Sequence, residues 1–135
     1  VFQRGREKGL KITLHFAEVD EPENVVDIIK FNPERVGHAT VLSKEAAAAL
    51  KQNPIPMEIC YTSNLLCKTV SEGPLHHFGE YYSVGYPLAI STDDKGVFGS
   101  ELSNEYFLIS QSFQLTQNQI TELAARAIPL IFDKS

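Results

Sequence analysis

Basic residues are in the minority, cysteine occurs twice, and no apolar run is long. Twelve Lys and Arg against seventeen Asp and Glu leave a formal net charge of −5 with no basic stripe, so a nucleic-acid backbone is not an expected partner. No apolar stretch comes near the roughly 20 residues that span a bilayer, and no membrane contact is expected. Cys60 and Cys67 are too widely spaced for a Cys-x-x-Cys zinc knuckle; they read as free thiols in a reducing compartment, which points to the cytoplasm. Residues Arg4 to Lys8 match neither a signal peptide nor a transit peptide. The chain opens at Val1 without Met and reads as a sequence entered partway through.

What is present is globular. At 135 residues, 43% hydrophobic and 21% charged, the chain has the makings of one domain with a real core, which excludes a disordered or low-complexity class. Leu10 to His15 is a short run of β-formers, followed by acidic residues and then helical spacing from Val25 to Phe31. Arg35 to Thr40 predicts a second strand, and Ser43 to Lys51 a helix with Ser43 as N-cap and intrinsically helix-favouring alanines. After a break at Pro54 and Pro56, Met57 to Cys60 predicts a third strand. A short helix is expected within His76 to Val84, and a fourth strand at Pro87 to Ser91. Two helices follow, Glu101 to Phe113 and one from Thr116, where Gln119 completes a capping box and Pro129 interrupts the last turn. Four strands separated by helical segments predict a parallel α/β sheet with right-handed crossovers, buried on both faces.

Chemistry in such folds sits at the carboxyl ends of strands. Here the first strand ends in His15 with Glu18 close behind, and the second in Gly37-His38. The third ends in Cys60 before Thr62, Ser63 and Asn64, and the fourth leads into Asp93-Asp94. Taken alone, each His reads as a structural residue, and the Asp pair as a turn or an N-cap for a helix after Lys95. Together, two His and three carboxylates on one rim suggest a divalent metal, which His and Asp oxygen suit. Lys95 reads as solvated or ion-paired, His76 and His77 as surface or packing residues, and Cys60 as a small core residue.

The series His15-Phe16-Ala17-Glu18, Gly37-His38-Ala39, Glu58-Ile59-Cys60 with Thr62-Ser63-Asn64, and Ser91-Thr92-Asp93-Asp94 resembles the second half of the adenosine deaminase superfamily. Asp93 to Phe98, His76 to Gly79 and Ser103-Asn104-Glu105-Tyr106 are most similar to its members that act on N6-methyl-AMP. The resemblance implies the C-terminal half of a (β/α)8 barrel of the metal-dependent hydrolase type, with residues 1–135 as part of a single deaminase domain. It makes His15 and Asp93 ligands of one zinc ion. Glu18 becomes the catalytic proton donor, His38 the base or orienting group beside the attacking water, and Asp94 a partner of that water and of the purine; Glu18 and Asp94 also bind substrate. The implied reaction converts N6-methyl-AMP to IMP and methylamine, with zinc lowering the pKa of a bound water to about 7. The implied partner is a small purine nucleotide, or adenosine as the alternative, and the full-length chain is expected to be a monomer.

The sequence also departs from the family pattern. His15 to Glu18 reads HFAE where deaminases proper show His-Ala-Gly-Glu, Ala39 stands where Gly is common, and Tyr61 where many members have Pro. The family's first strand carries a His-x-His pair that completes the metal site, and these 135 residues hold none. A noncatalytic truncated fragment is therefore the alternative reading. A cytidine-deaminase-type zinc site fails on spacing, because its signature is His-x-Glu with Pro-Cys-x-x-Cys.

Overall fold

The computed structural model describes residues 1–133. Four strands, β1 (Thr13–Phe16), β2 (Arg35–His38), β3 (Met57–Ile59) and β4 (Leu88–Ile90), form one sheet. They lie parallel in the order β1-β2-β3-β4. Helices α1 (Phe2–Glu7), α2 (Pro22–Phe31), α3 (Lys44–Gln52), α4 (Tyr61–Leu66), α5 (Phe78–Ser83), α6 (Lys95–Phe98), α7 (Leu102–Phe113) and α8 (Gln117–Ala127) surround it, with 3-10 turns at Gly73–Leu75 and Ile128–Leu130. Among the described residues no helix is long and apolar enough to cross a membrane.

Local signals account for much of this. The Ser43 hydroxyl accepts the Ala46 N–H at 3.1 Å and starts α3, and Thr116 with Gln119 forms the expected capping box of α8. Pro129, which has no N–H to donate, sits in the 3-10 turn that replaces the last turn of α8. Three of the differences from the sequence pattern have a visible cause or consequence. Strand β1 starts at Thr13, not Leu10, because its pairing begins where Thr13 meets Arg35. Strand β2 stops at His38 because His38 and Ala39 turn left-handed, at φ 66° and 53°. The segment after Cys60, to which the sequence pattern assigned no element, is helix α4.

The sheet has one closed face and one open face, which corrects the expectation of burial on both. Val36, Met57, Leu88, Ile59 and Ile90 point to the helix side and share one core with Val25, Leu50, Phe78, Tyr81, Ile109 and Leu123. The alternate row runs His15, Gly37, Glu58, Ala89 across the paired registers. On it His15 is exposed, and Glu58 and Ala89 are half-buried. In a closed barrel this row faces the interior; four strands cannot close around it. The Arg35–Glu58 ion pair lies on this side. Arg35 also donates to the Leu130 carbonyl at 2.8 Å and stacks 4.0 Å over the Phe132 ring, so the chain end packs across the start of β2.

A single buried phenol ties the entry of β3 to the loop before β4. Tyr86 Oη accepts the Ile55 N–H at 3.1 Å and donates to the Ile55 carbonyl at 2.8 Å, and burial pushes its hydroxyl up to about 12. Tyr86→Phe strands both backbone groups without changing shape, so it should lower stability by about 3 kcal/mol, read from the urea midpoint at unchanged m-value. A loss below about 0.5 kcal/mol would show that the two bonds do not hold the core.

Candidate functional site

The carboxyl ends of the strands converge as their positions predict. Beyond His15, Ala17 turns left-handed (φ 55°) and swings Glu18 back toward the sheet; Asp93 does the same after β4 (φ 57°). His38, only 1% exposed, stands at the centre. Its Nε2 lies 3.4 Å from His15 Nδ1, 3.6 Å from a Glu18 oxygen and 3.8 Å from an Asp93 oxygen. A Cβ at Gly37 would stand 3.0 Å from His15 Cδ2, so a larger residue there would press on the His15 ring. The structure thus brings together four of the five expected residues. Asp94, the fifth, is exposed, and its carboxylate accepts the Val97 N–H at 3.3 Å as the N-cap of α6.

Helix α4 supplies what the sequence reading left unassigned. Asn64 Nδ2 donates to His38 Nδ1 at 3.0 Å, which places the proton of the neutral ring on Nε2. The Ser63 hydroxyl donates to Asp93 at 2.7 Å. Both residues are 2% exposed. Burial pushes the His38 ring below the usual imidazole range; Glu18 opposes this and His15 reinforces it. His38 is therefore neutral at pH 7, and its approaches to Glu18 and Asp93 are those of an oriented dipole, not of ion pairs. His77 Nε2 donates to the His38 carbonyl at 2.7 Å, holding the left-handed turn. Ser63 and Asn64 stood out in the sequence only by their place at a strand end and in a family-like motif, and His77 only within the His76 to Gly79 motif; neither signal gave them a role.

Other expectations can be placed directly. His76 is 1% exposed and packs between the Tyr61 and His77 rings. Lys95 pairs with Glu101 at 2.6 Å on the surface. Cys60 and Cys67 are free thiols, and Cys60 is buried; burial, with the Asp93 and Glu58 charges, pushes its thiol up to about 12.

The model of the adenosine deaminase family matches residues 1–133. The chain belongs to the adenosine deaminase family. It is 40% identical to the N6-methyl-AMP deaminase of Bos taurus over 134 residues, covering 94% of this chain and 38% of that protein. With the N6-mAMP deaminase of Arabidopsis thaliana the identity is 41% over 130 residues, or 96% and 37% of the two chains. The crystal structure of Arabidopsis ADAL complexed with IMP superposes with a TM-score of 0.95 at 39% identity, covering 98% of this chain and 39% of that one. The chain thus spans about two fifths of the length of the relatives it matches. Its fold is the C-terminal half of an adenosine deaminase-type (β/α)8 barrel, which explains the open sheet face.

Members of this family are metal-dependent, and the donor set here fits a divalent ion. Single ligand atoms of His15, Glu18 and His38 lie within 4.8 Å of one another, as do those of His38, Cys60 and Asp93. His38 belongs to both groups, His15 to the first and Asp93 to the second.

The buried His pair next to the site sets an acid limit on the fold. Burial lowers His76 to about 3 and His77 to about 4. The unfolded chain protonates both near 6.5, so their contribution is complete above that pH and is lost as pH falls toward 4. Unfolding free energy should decline below pH 6.5 by up to about 1.4 kcal/mol per pH unit for each ring. His76→Phe should flatten that slope by about half in urea titrations at pH 7.5, 6 and 5. An unchanged slope would mean that other groups drive the acid loss.

Proposed function

We propose that this chain is the C-terminal portion of a single deaminase barrel domain that hydrolyses N6-methyl-AMP to IMP and methylamine. The observation that carries the reading is the neutral, buried His38 held between His15, Glu18 and Asp93. It is supported by the IMP and GMP complexes of the Arabidopsis relative.

In this reading His15 and Asp93 hold zinc. When bound, zinc supplies a Lewis acid that brings the pKa of water to about 7. The residues of the chain do the rest. His38, with its proton on Nε2 and its Nδ1 engaged by Asn64, is oriented to donate a hydrogen bond to the attacking oxygen, whose proton passes to the Asp93 carboxylate beside it. Glu18, 41% exposed at its side chain and adjacent to His38, faces the space above the strand ends, where it can protonate the purine ring nitrogen next to C6. That keeps negative charge off the ring as the C6–O bond forms, and a second proton transfer releases methylamine. Ser63 fixes the Asp93 carboxylate. Asp94 contributes a carboxylate on the rim toward the purine. Adenosine in place of N6-methyl-AMP is the alternative substrate.

The open sheet face and the absence of a His-x-His pair in the chain favour a second reading for the isolated 135 residues, that of an inactive piece. Both readings meet in one experiment. The chain alone, given zinc and N6-methyl-AMP, should show no turnover, whereas the chain joined to the N-terminal part of the Arabidopsis relative should release methylamine. In that joined protein Glu18→Gln should keep its zinc content and lose at least about a hundredfold in kcat. Turnover by the chain alone would overturn the need for the rest of the barrel. Full activity of the Gln variant would remove Glu18 from proton transfer.

A further inference from the structure

Glu105 is a fully buried acidic side chain, 0% exposed, with no place in the proposed chemistry. It lies in the first turns of α7, far in sequence from the strand ends, yet its carboxylate faces the start of α4. One oxygen accepts the Thr62 backbone N–H at 3.0 Å; the other accepts the Thr62 hydroxyl and, at 2.9 Å, the Ser100 hydroxyl. Helix α4 needs this. It has six residues, and Cys60 at its N-cap makes no side-chain capping bond. An uncapped six-residue helix is too short to persist on its own hydrogen bonds. The next two residues, Ser63 and Asn64, are the ones that reach Asp93 and His38.

We propose that Glu105 is a positioning residue: it caps α4 from α7 and thereby holds Ser63 on Asp93 and Asn64 on His38. The inference rests on the reading of His38 and Asp93 as site residues, but its physical content is confined to this chain. A carboxylate suits the role because the Thr62 N–H and the Thr62 and Ser100 hydroxyls can all donate to it at once, and because its negative charge complements the N-terminal end of α4. The charge also explains how a buried acid is tolerated, since every bond made to it is a donor bond. Asn64 then sets the neutral form of His38 by donating to Nδ1. Loosening α4 frees that ring to exchange its proton between the two nitrogens without unfolding the sheet behind it.

The experiment is nitrogen NMR of the imidazole of His38 together with amide hydrogen exchange, on the full chain at pH 7.5, free of metal and substrate. Neither signal depends on turnover, so a failure of the deaminase reading leaves the result interpretable. In the parent chain His38 should show a protonated Nε2 and an unprotonated Nδ1. Glu105→Leu should shift both ring nitrogens toward their average and lower protection of the Thr62, Ser63 and Asn64 amides at least tenfold. Glu105→Gln keeps an acceptor for the Thr62 N–H, and its amide can donate to the hydroxyls, so it should restore the parent ring signals. Thr62→Val removes only the hydroxyl bond and should give a smaller shift of the same sign, which keeps the test open if the leucine variant does not fold. Leu123→Val, in the core away from α4, is the stability control and should move neither signal. Parent-like ring nitrogens in both Glu105→Leu and Thr62→Val, or an equal shift in Leu123→Val, would overturn the proposal.

Discussion

The site depends on backbone that leaves the sheet the wrong way for L-residues. Ala17, His38, Ala39 and Asp93 all take positive φ, between 53° and 66°, at a cost on the order of 1 kcal/mol each. Without those turns the strands would carry on past the rim, and their side chains would alternate between faces instead of meeting. Two features offset the cost. The Ala17 carbonyl accepts the N–H groups of Thr40 and Val41 and the Thr40 hydroxyl, which locks the first strand-end loop to the second. The His38 carbonyl accepts from His77, which fixes the second turn from the helix side. Ala39 shows how firmly the path is imposed. A methyl group sits, 1% exposed, in a left-handed position that glycine would take without strain.

That constraint also explains which parts were legible in sequence. The parallel α/β architecture followed from short β-rich runs alternating with helical spacing, and His15, Glu18, His38 and Asp93 followed from one rule about strand ends. Ser43 and Thr116 were readable as caps because capping is a contact over three residues. Helix α4 was not readable because the group that caps it lies 43 residues away. No local pattern in Tyr61 to Leu66 separates a loop from a helix completed by Glu105. Asp94 shows the same limit from the other side. The motif marks it as chemistry and the local pattern marks it as a cap; the structure shows the cap, made through one carboxylate oxygen, and does not bear on the chemistry.

Burial on both faces failed as an expectation for a different reason. Alternation in a three-residue strand cannot distinguish a residue that faces a helix from one that faces the inside of a barrel. Both kinds are buried in a closed fold, whereas here the inner row is buried only at Gly37. Glu58 and Arg35 are informative on this point, because their ion pair places charge on the inner face of β2 and β3, near the end remote from the rim. The packing of Leu130 and Phe132 against Arg35 covers part of it.

The division of labour between the two sides of the sheet follows. Every bond that orients a site group comes from the helix side: Ser63 to Asp93, Asn64 to His38, His77 to the His38 carbonyl, and Glu105 behind them. That side is buried within these residues, so the arrangement exists before anything covers the inner face. The inner face supplies the opposite requirement, exclusion of water. His15 is exposed and Glu18 partly so, and in that state their interactions are weakened by solvent. Orientation without desolvation gives a set of correctly placed groups with little power to stabilise charge in a transition state, because that power depends on a site from which water is excluded. In the proposed reading the half-barrel therefore carries the oriented groups of the site, and the wall that closes the other side supplies the dielectric in which they act.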